Sequence, residues 1–341
     1  MTRRSCLLVT AVLLLALTGA CSAVPNLSPA RAPKTVRFMA GYKPQANLPF
    51  VGVYLAESQG YFKEQGLTAE ITHSTGQGEH LKLVLQGSLD VITADADSVL
   101  ARRAEGLPVV AFALLGQRGQ RAFAVPAASE IKTPKDFEGK TVGFKVFQTP
   151  DYLAMLAAAG VDRSRITEVP VGFDPRLLAA GKVDVYPVFE SNEPDTLERL
   201  GFPVRLIKPG DYGVPGLGLT YMTRQDLVEK DPDLLERFLK ATLRGIQYAR
   251  QNPEAAMDVV MKWAPQEDRA HQLAMLKVEM EMSEGPVAKA EGLGAMNREQ
   301  WQAFHDSLLA FGGLKSQVDV GSAYTDRIVR AVYRGGELIW P

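Results

Sequence analysis

The stretch Gly52-Val53-Tyr54-Leu55-Ala56-Glu57-Ser58-Gln59-Gly60-Tyr61-Phe62-Lys63-Glu64-Gln65-Gly66-Leu67-Thr68-Ala69-Glu70-Ile71 reads as a helix running into a strand. Residues 53–65 carry helix formers, Gly66 stops them, and Leu67 to Ile71 alternates as a strand does. Upstream, Thr35 to Met39 alternates in the same way. Downstream, helix 79–86 ends at Gly87, Val91-Ile92 is a short strand, helix 96–105 closes at Gly106, and 109–114 is again a strand. Strand and helix in alternation, joined by Gly-containing turns, predict an α/β fold with a largely parallel sheet.

A second unit starts near Ala122. Strand 140–145, helix 150–159, strand 166–169, helix 174–180 and strand 183–188 follow one another. Beyond Gly218 the pattern is helical, over 231–250, 253–262, 266–282, 297–311 and 321–332. Trp263, Trp301, Phe304 and Phe311 on those helices read as core packing. About 305 residues after the first 34 exceed one comfortable core. The expected organisation is one lobe over 35–121, a second over 122–218, and a return to the first over 219–341. Crossing segments lie near Arg121–Pro126 and Gly216–Thr223, and the cleft between the lobes is built for hinge closure on a ligand.

The front of the chain carries an address. Arg3 and Arg4 precede an apolar run from Leu7 to Leu17, too short for a bilayer, which needs ~20 helical residues. Thr18-Gly19-Ala20 supplies small residues for cleavage. Leu17-Thr18-Gly19-Ala20-Cys21 resembles a bacterial lipobox, which implies a signal peptide over 1–20 and acylation of Cys21. Residues 21–34 then read as a tether. Cys6 leaves with the signal, so no disulfide and no thiolate zinc site is available. Loss of Arg3 and Arg4 leaves 36 basic against 39 acidic residues. That balance argues against nucleic acid, which calls for a concentrated basic footprint.

Four segments of the chain resemble those of a known family. The stretch from Gly52 to Leu67 resembles the signature of the NMT1/SsuA-like binding proteins. Gly87-Ser88-Leu89-Asp90-Val91 is similar to that family's strand entry, Ile131 to Gly143 resembles the opening of its second lobe, and Ala180-Gly181-Lys182-Val183-Asp184-Val185 resembles a later element. Four pieces in register over residues 36 to 260 imply a two-lobed type II periplasmic-binding-protein fold. They also imply a solute-binding protein delivering cargo to an ABC permease and its ATPase. Members of the family serve importers of sulfonates, nitrate, thiamine-pyrimidine precursors and riboflavin.

Open α/β sheets bind ligands at the C-terminal ends of their strands. Three segments stand there. Gly41 to Phe50 holds Tyr42 and Phe50, which suit a flat ring, and Asn47, a donor and acceptor. Tyr186 to Pro194 holds Tyr186, Phe189, Glu190, Asn192 and Glu193, with helix capping as the competing role of Asn192. Phe147, Gln148 and Thr149 precede a helix, and Thr149 reads as its N-cap. Asp95 and Asp97 are further candidates, one as a cap and one for ligand hydroxyls. Ser74 to Gly78 lies at another helix start and suits hydroxyl-rich or anionic ligands, and Tyr212 is placed to cover the cleft. Aromatic, amide and acidic groups without fixed positive charge disfavour sulfonate or nitrate. They favour a flat, hydrogen-bonding heteroaromatic.

The stretch Pro44 to Phe50 resembles the riboflavin-binding components of bacterial importers, while Gly41 and Tyr42 depart from the thiamine-pyrimidine pattern. The expectation is riboflavin, with Tyr42, Phe50 and Tyr186 or Phe189 sandwiching the ring system. Asn47, Asn192 and Glu190 are expected to read its edge, and Asp95 or Gln148 the ribityl hydroxyls. A pyrimidine precursor and a ligand-sensing module that signals to a membrane partner are the alternatives. No nucleophile elbow, HExxH helix, Walker loop or dinucleotide fingerprint is present, so catalysis is not expected. The expected form is a monomer without cofactor or metal.

Overall fold

Glycine decides where the first helix stops. The computed structural model describes residues 33–341, and the expected helix 53–65 forms two pieces there, Leu48–Ser58 and Tyr61–Glu64. Gly60 between them has φ of 78°, a conformation that costs glycine nothing and other residues much. The helix begins earlier than expected because Pro49 tolerates the first turn, where its missing N–H removes no bond. Leu48, Pro49 and Phe50 therefore belong to a helix rather than to a loop. The signal peptide, Cys21 and most of the tether lie outside the described residues.

Of the twelve strands among the described residues, ten form the sheets of the two lobes: β1 Lys34–Ala40, β2 Leu67–His73, β3 Val91–Asp95, β4 Val109–Leu114, β5 Arg121–Pro126, β6 Thr141–Phe144, β7 Thr167–Pro170, β8 Tyr186–Phe189, β9 Val204–Ile207 and β10 Leu219–Arg224. The larger sheet has the order β2-β1-β3-β10-β4. β1 runs parallel to β2 and β3, but β10 is antiparallel to both β3 and β4. In the smaller lobe β5 pairs antiparallel with β8 and β9, and β6 pairs parallel with β7. A bridge from Val142 to Val185 links these two pieces. The expectation of a largely parallel sheet is thus corrected to mixed sheets. Residues 219–224, read as a mere crossing segment, form a central strand of the first sheet. The chain leaves that sheet after β4 and returns to it through β10, giving the two-lobed periplasmic-binding-protein architecture.

The C-terminal helices build the larger lobe's outer layer. Pro232–Gln251 packs along Leu48–Ser58, and Phe38, Phe112, Tyr221 and Phe238 form an aromatic cluster between helix and sheet. On the other face Trp301 and Phe304 are buried as expected, with Trp301 stacked on Tyr324. The expected helix 321–332 is two short turns, Val320–Ala323 and Arg327–Ala331. Among the described residues no helix is long and apolar enough to cross a membrane.

The two long helices touch through glycine. A Cβ on Gly245 would lie 2.3 Å from the Gly52 carbonyl oxygen, and one on Gly52 would lie 2.9 Å from the Thr242 oxygen. Both obstacles are backbone, which side-chain rearrangement does not relieve. Gly245→Ala is expected to cost about 1–3 kcal/mol by forcing the helices apart, despite the better helix propensity of alanine. Thermal unfolding checks this; an unchanged midpoint would show the helices free to separate.

Candidate functional site

Between the lobes lies a cavity of about 210 Å³, lined from one side by the β1 loop and the end of β3 and from the other by the loops after β6, β7 and β8. Tyr42, Phe50 and Phe123 line it together with Phe144, Phe147, Tyr152, Phe173 and Phe189. Tyr42 meets Phe173 across the cleft with ring centroids 4.9 Å apart and planes inclined by 34°. Burial, with Glu193 and Glu267 adding to it, pushes the Tyr42 phenol up to about 12, so this ring stays neutral at physiological pH. Phe147 is 49 % exposed and stands at the rim, whereas Phe50 is 2 % exposed and forms the inner wall.

Of the expected site residues, Tyr42, Asn47, Phe50, Asp95, Phe147, Gln148, Phe189 and Asn192 line this cavity. Tyr186 does not. It is fully buried within the smaller lobe, with its hydroxyl donating to the Gly172 carbonyl at 3.0 Å. Successive strand residues face opposite ways, so Pro187 and Phe189 point to the cleft and Tyr186 to the core, while Val188 is buried in that core and also touches the cavity wall. Glu190 is also turned away. Its carboxylate takes Lys208 at 2.5 Å and Arg118 at 3.5 Å, and it lines a second cavity of about 190 Å³ behind the crossing segments. Tyr212 does not line the cleft and instead packs against an apolar cluster built from residues of both lobes.

The helix-capping expectations are corrected in the same spirit. Asp95, Thr149 and Asn192 occupy N-cap positions, yet none makes a side-chain capping bond. The Asp95 carboxylate accepts from Gln120 Nε2 at 2.7 Å and pairs with Arg121. The Asn192 Oδ1 meets His271 Nε2 at 3.0 Å, while His271 Nδ1 lies 2.6 Å from Asp195. Gln148 donates to Glu168 at 3.0 Å. Ser74 accepts from the Gly76 N–H at 3.0 Å and contacts His80, whose ring lines the cleft. Burial lowers the proton affinity of His80, so it faces the cleft as a neutral imidazole.

Two cations that sequence reasoning did not assign to the site stand in the cleft. Lys145 Nζ lies 4.6 Å from the centroid of Phe189 and 5.6 Å from that of Phe173, and it is ion-paired with Glu193. Arg121 on the floor gathers three carboxylates, from Asp95, from Asp97 at 2.7 Å and from Asp151 at 3.3 Å. Positive charge is therefore present, contrary to expectation, but each cation has a resident counter-ion. Phe173 was also missed; its place beside Gly172, just past β7, is the signal that a strand-end search could have used.

Glu193 carries a testable part of this neutrality. It holds Lys145 and accepts the Phe189 N–H at 2.7 Å. In Glu193→Gln the ammonium loses its counter-charge while the amide retains an acceptor for Phe189. The variant is expected to gain affinity for a small alkanesulfonate by on the order of tenfold, in a salt-sensitive way. Calorimetry at two ionic strengths checks it; equal sulfonate binding by both chains would show that Lys145 is already free to act.

The chain is similar to known proteins over most of its length. The chain is 26% identical over 344 residues to the riboflavin-binding protein RibY of Chloroflexus aurantiacus, covering 94% of this chain and 97% of the relative. It is 28% identical over 308 residues to a formylaminopyrimidine-binding protein of Halalkalibacterium halodurans, covering 86% and 91%. Its fold superimposes on the periplasmic aliphatic sulphonate binding protein SsuA from Escherichia coli with a TM-score of 0.66, at 16% identity over 91% of this chain and 95% of that one. Residues 47–256, most of the first lobe's start and all of the second, match the family described as NMT1/THI5 like, and the chain belongs to that family.

Proposed function

We propose that the chain is the solute-binding component of an ABC-type importer and that its interlobe cleft captures riboflavin. On this reading it is held at the outer face of the membrane by acylation of Cys21 and hands its cargo, as a monomer, to a permease with its ATPase. The observation that carries the proposal is the cleft's lining: aromatic rings from both lobes around polar groups that are neutral or internally ion-paired. Such a wall favours a flat, uncharged, hydrogen-bonding ligand over a bare anion. RibY and the formylaminopyrimidine-binding protein, by their names, both take heteroaromatic compounds, which supports the same class.

The role is binding and not catalysis. Burial keeps His80 neutral beside the Ser74 hydroxyl, and the cleft carboxylates Asp95 and Glu193 are occupied by Arg121 and Lys145. Among the described residues there is no group of three or more His, Cys, Asp or Glu side chains able to hold a metal.

Thermal unfolding with riboflavin, formylaminopyrimidine and an alkanesulfonate, each in excess, tests the assignment. Ligand at 100 times its Kd stabilises a folded protein by about 2.7 kcal/mol. Riboflavin is expected to raise the midpoint and the sulfonate to leave it unchanged. A shift with the pyrimidine alone would move the ligand to a thiamine precursor and keep the receptor reading. A shift with the sulfonate alone would overturn the argument from paired cations.

A further inference from the structure

One helix of the C-terminal half, Arg269–Met282, reaches behind the cleft wall. His271, Gln272, Met275, Leu276 and Glu279 form its buried face, at the spacing that aligns side chains along one side of a helix. Gln272 accepts the Ala46 N–H at 2.6 Å. Glu279 is fully enclosed, where three donors meet its carboxylate: Asn47 Nδ2 at 3.0 Å, the Leu48 N–H at 3.2 Å and, from the opposite lobe, Ser191 Oγ at 2.7 Å. The β1 loop of the cleft is thus pinned at successive residues by a helix that does not itself line the cavity.

The chemistry of these bonds has a direction. Burial pushes the Glu279 proton affinity up, but the donors from Ser191, Leu48 and Asn47 oppose that shift and hold it as an acceptor, so Asn47 presents its NH₂ group to Glu279. The Asn47 carbonyl oxygen then faces Gln45, and accepts from the Gln45 Nε2 group. Gln45 in turn lines the cleft; one N–H of its amide goes to Asn47, which fixes the orientation of the amide and leaves its carbonyl oxygen as the acceptor at the end of the series. We propose that Glu279 is a positioning residue that sets the hydrogen-bonding polarity of the cleft through Asn47 and Gln45, so that the cleft offers an acceptor and selects a ligand edge carrying an N–H donor. For its binding arm this inference rests on the heteroaromatic reading given above.

Glu279→Gln reverses the relay with almost no change of shape. The carbonyl oxygen of the new amide stays with the Leu48 N–H, and its NH₂ group faces Asn47. Asn47 turns over to accept, which turns Gln45 and points an N–H into the cleft. Adding Asn47→Asp restores the original sense, because the introduced carboxylate accepts from the new amide on one side and from Gln45 on the other.

The binding probes are riboflavin, whose ring edge carries an N–H, and its N3-methyl derivative, which lacks it. The unaltered protein is expected to prefer riboflavin by about tenfold or more, as a site with an unmet buried acceptor does. Glu279→Gln is expected to lose that preference, and the Asn47→Asp/Glu279→Gln double variant to recover it, with melting points of all three alike. A folded Glu279→Gln that keeps the preference, or a double variant no better than the single one, overturns the proposal.

A second arm needs no ligand. Neutron diffraction of deuterium-exchanged, ligand-free crystals is expected to place the Asn47 amide deuterons toward Glu279 in the unaltered protein and toward Gln45 in Glu279→Gln. Deuterons on the Gln45 side in the unaltered protein, or one orientation in both, overturn the relay. If no form binds either flavin, the riboflavin assignment falls and this second arm alone decides the relay.

Discussion

Replacing Arg121 by Met is expected to lower the free energy of unfolding by about 3–5 kcal/mol, the range seen when one partner of a buried ion pair is removed. Residues 121–126, expected as a crossing segment, form strand β5 of the smaller lobe, and Arg121 at its start joins Asp95 and Asp97 of the larger lobe to Asp151 at the start of helix Pro150–Ala158. Burial works against its charge, yet Asp95, Asp97 and Asp151 together raise its proton affinity well above the usual arginine range. Without it, three carboxylates face one another in a space from which water is largely excluded.

The same cluster gives a pH signature. Burial pushes the Asp97 carboxyl up to about 6 even though Arg121 opposes the shift, with Asp151 and Asp95 adding to it. Its unfolded value is near 3.8, so between about 4 and 6 the folded protein holds a proton that the unfolded chain does not. This group therefore contributes stability that grows as pH falls through about 6 and levels off near 4. In Arg121→Met the upward shift increases, so acidification from pH 7 to 5 is expected to recover part of the loss. Denaturant titrations at pH 7 and pH 5 check both statements. A variant as stable as the parent at pH 7 would show that water, and not Arg121, balances the carboxylates.

The second large effect is on binding. Tyr42→Ala and Phe189→Ala are each expected to weaken riboflavin by ~2 kcal/mol, about thirtyfold, combining a lost ring contact with lost apolar burial. Tyr42 comes from one lobe and Phe189 from the other, so each removes one face of the sandwich. Phe189→Ala also bares Lys145, whose ammonium lies over that ring. Tyr186→Ala serves as the contrast: its ring belongs to the smaller lobe's core, so it is expected to cost stability and not to contribute a ligand contact. Equal binding losses in all three would mean that the variants act through folding alone.

Much of the fold was legible because glycines and helix formers mark the ends of its elements. Gly66, Gly87, Gly106 and Gly181 all terminate helices or turns in left-handed conformations where the sequence places the breaks. The sense of the strands was less so. Residues 219–224 carry no signal that they run antiparallel between β3 and β4, since strand direction depends on where the chain returns from. In the site, the β1 loop and the segment after β8 were found by their position at strand ends. Tyr186 was misassigned because Tyr186-Pro187-Val188-Phe189 is apolar at every position, which hides which face is buried. Asn47 lines the cleft as expected, and its amide also bonds Gln45 and Glu279, a link that no spacing in the sequence shows. Glu279 and Lys145 escaped notice for a common reason: a charged residue in a helix or at a strand end is usually solvated, and only the tertiary fold brings it to a cleft.

The most direct test of the central claim is a fluorescence titration of riboflavin with the purified protein. Aromatic rings held against a flavin quench its emission, so the account predicts saturable quenching with one flavin per chain, weakened in Tyr42→Ala and Phe189→Ala. Flavin emission unchanged at saturating protein would contradict a riboflavin receptor.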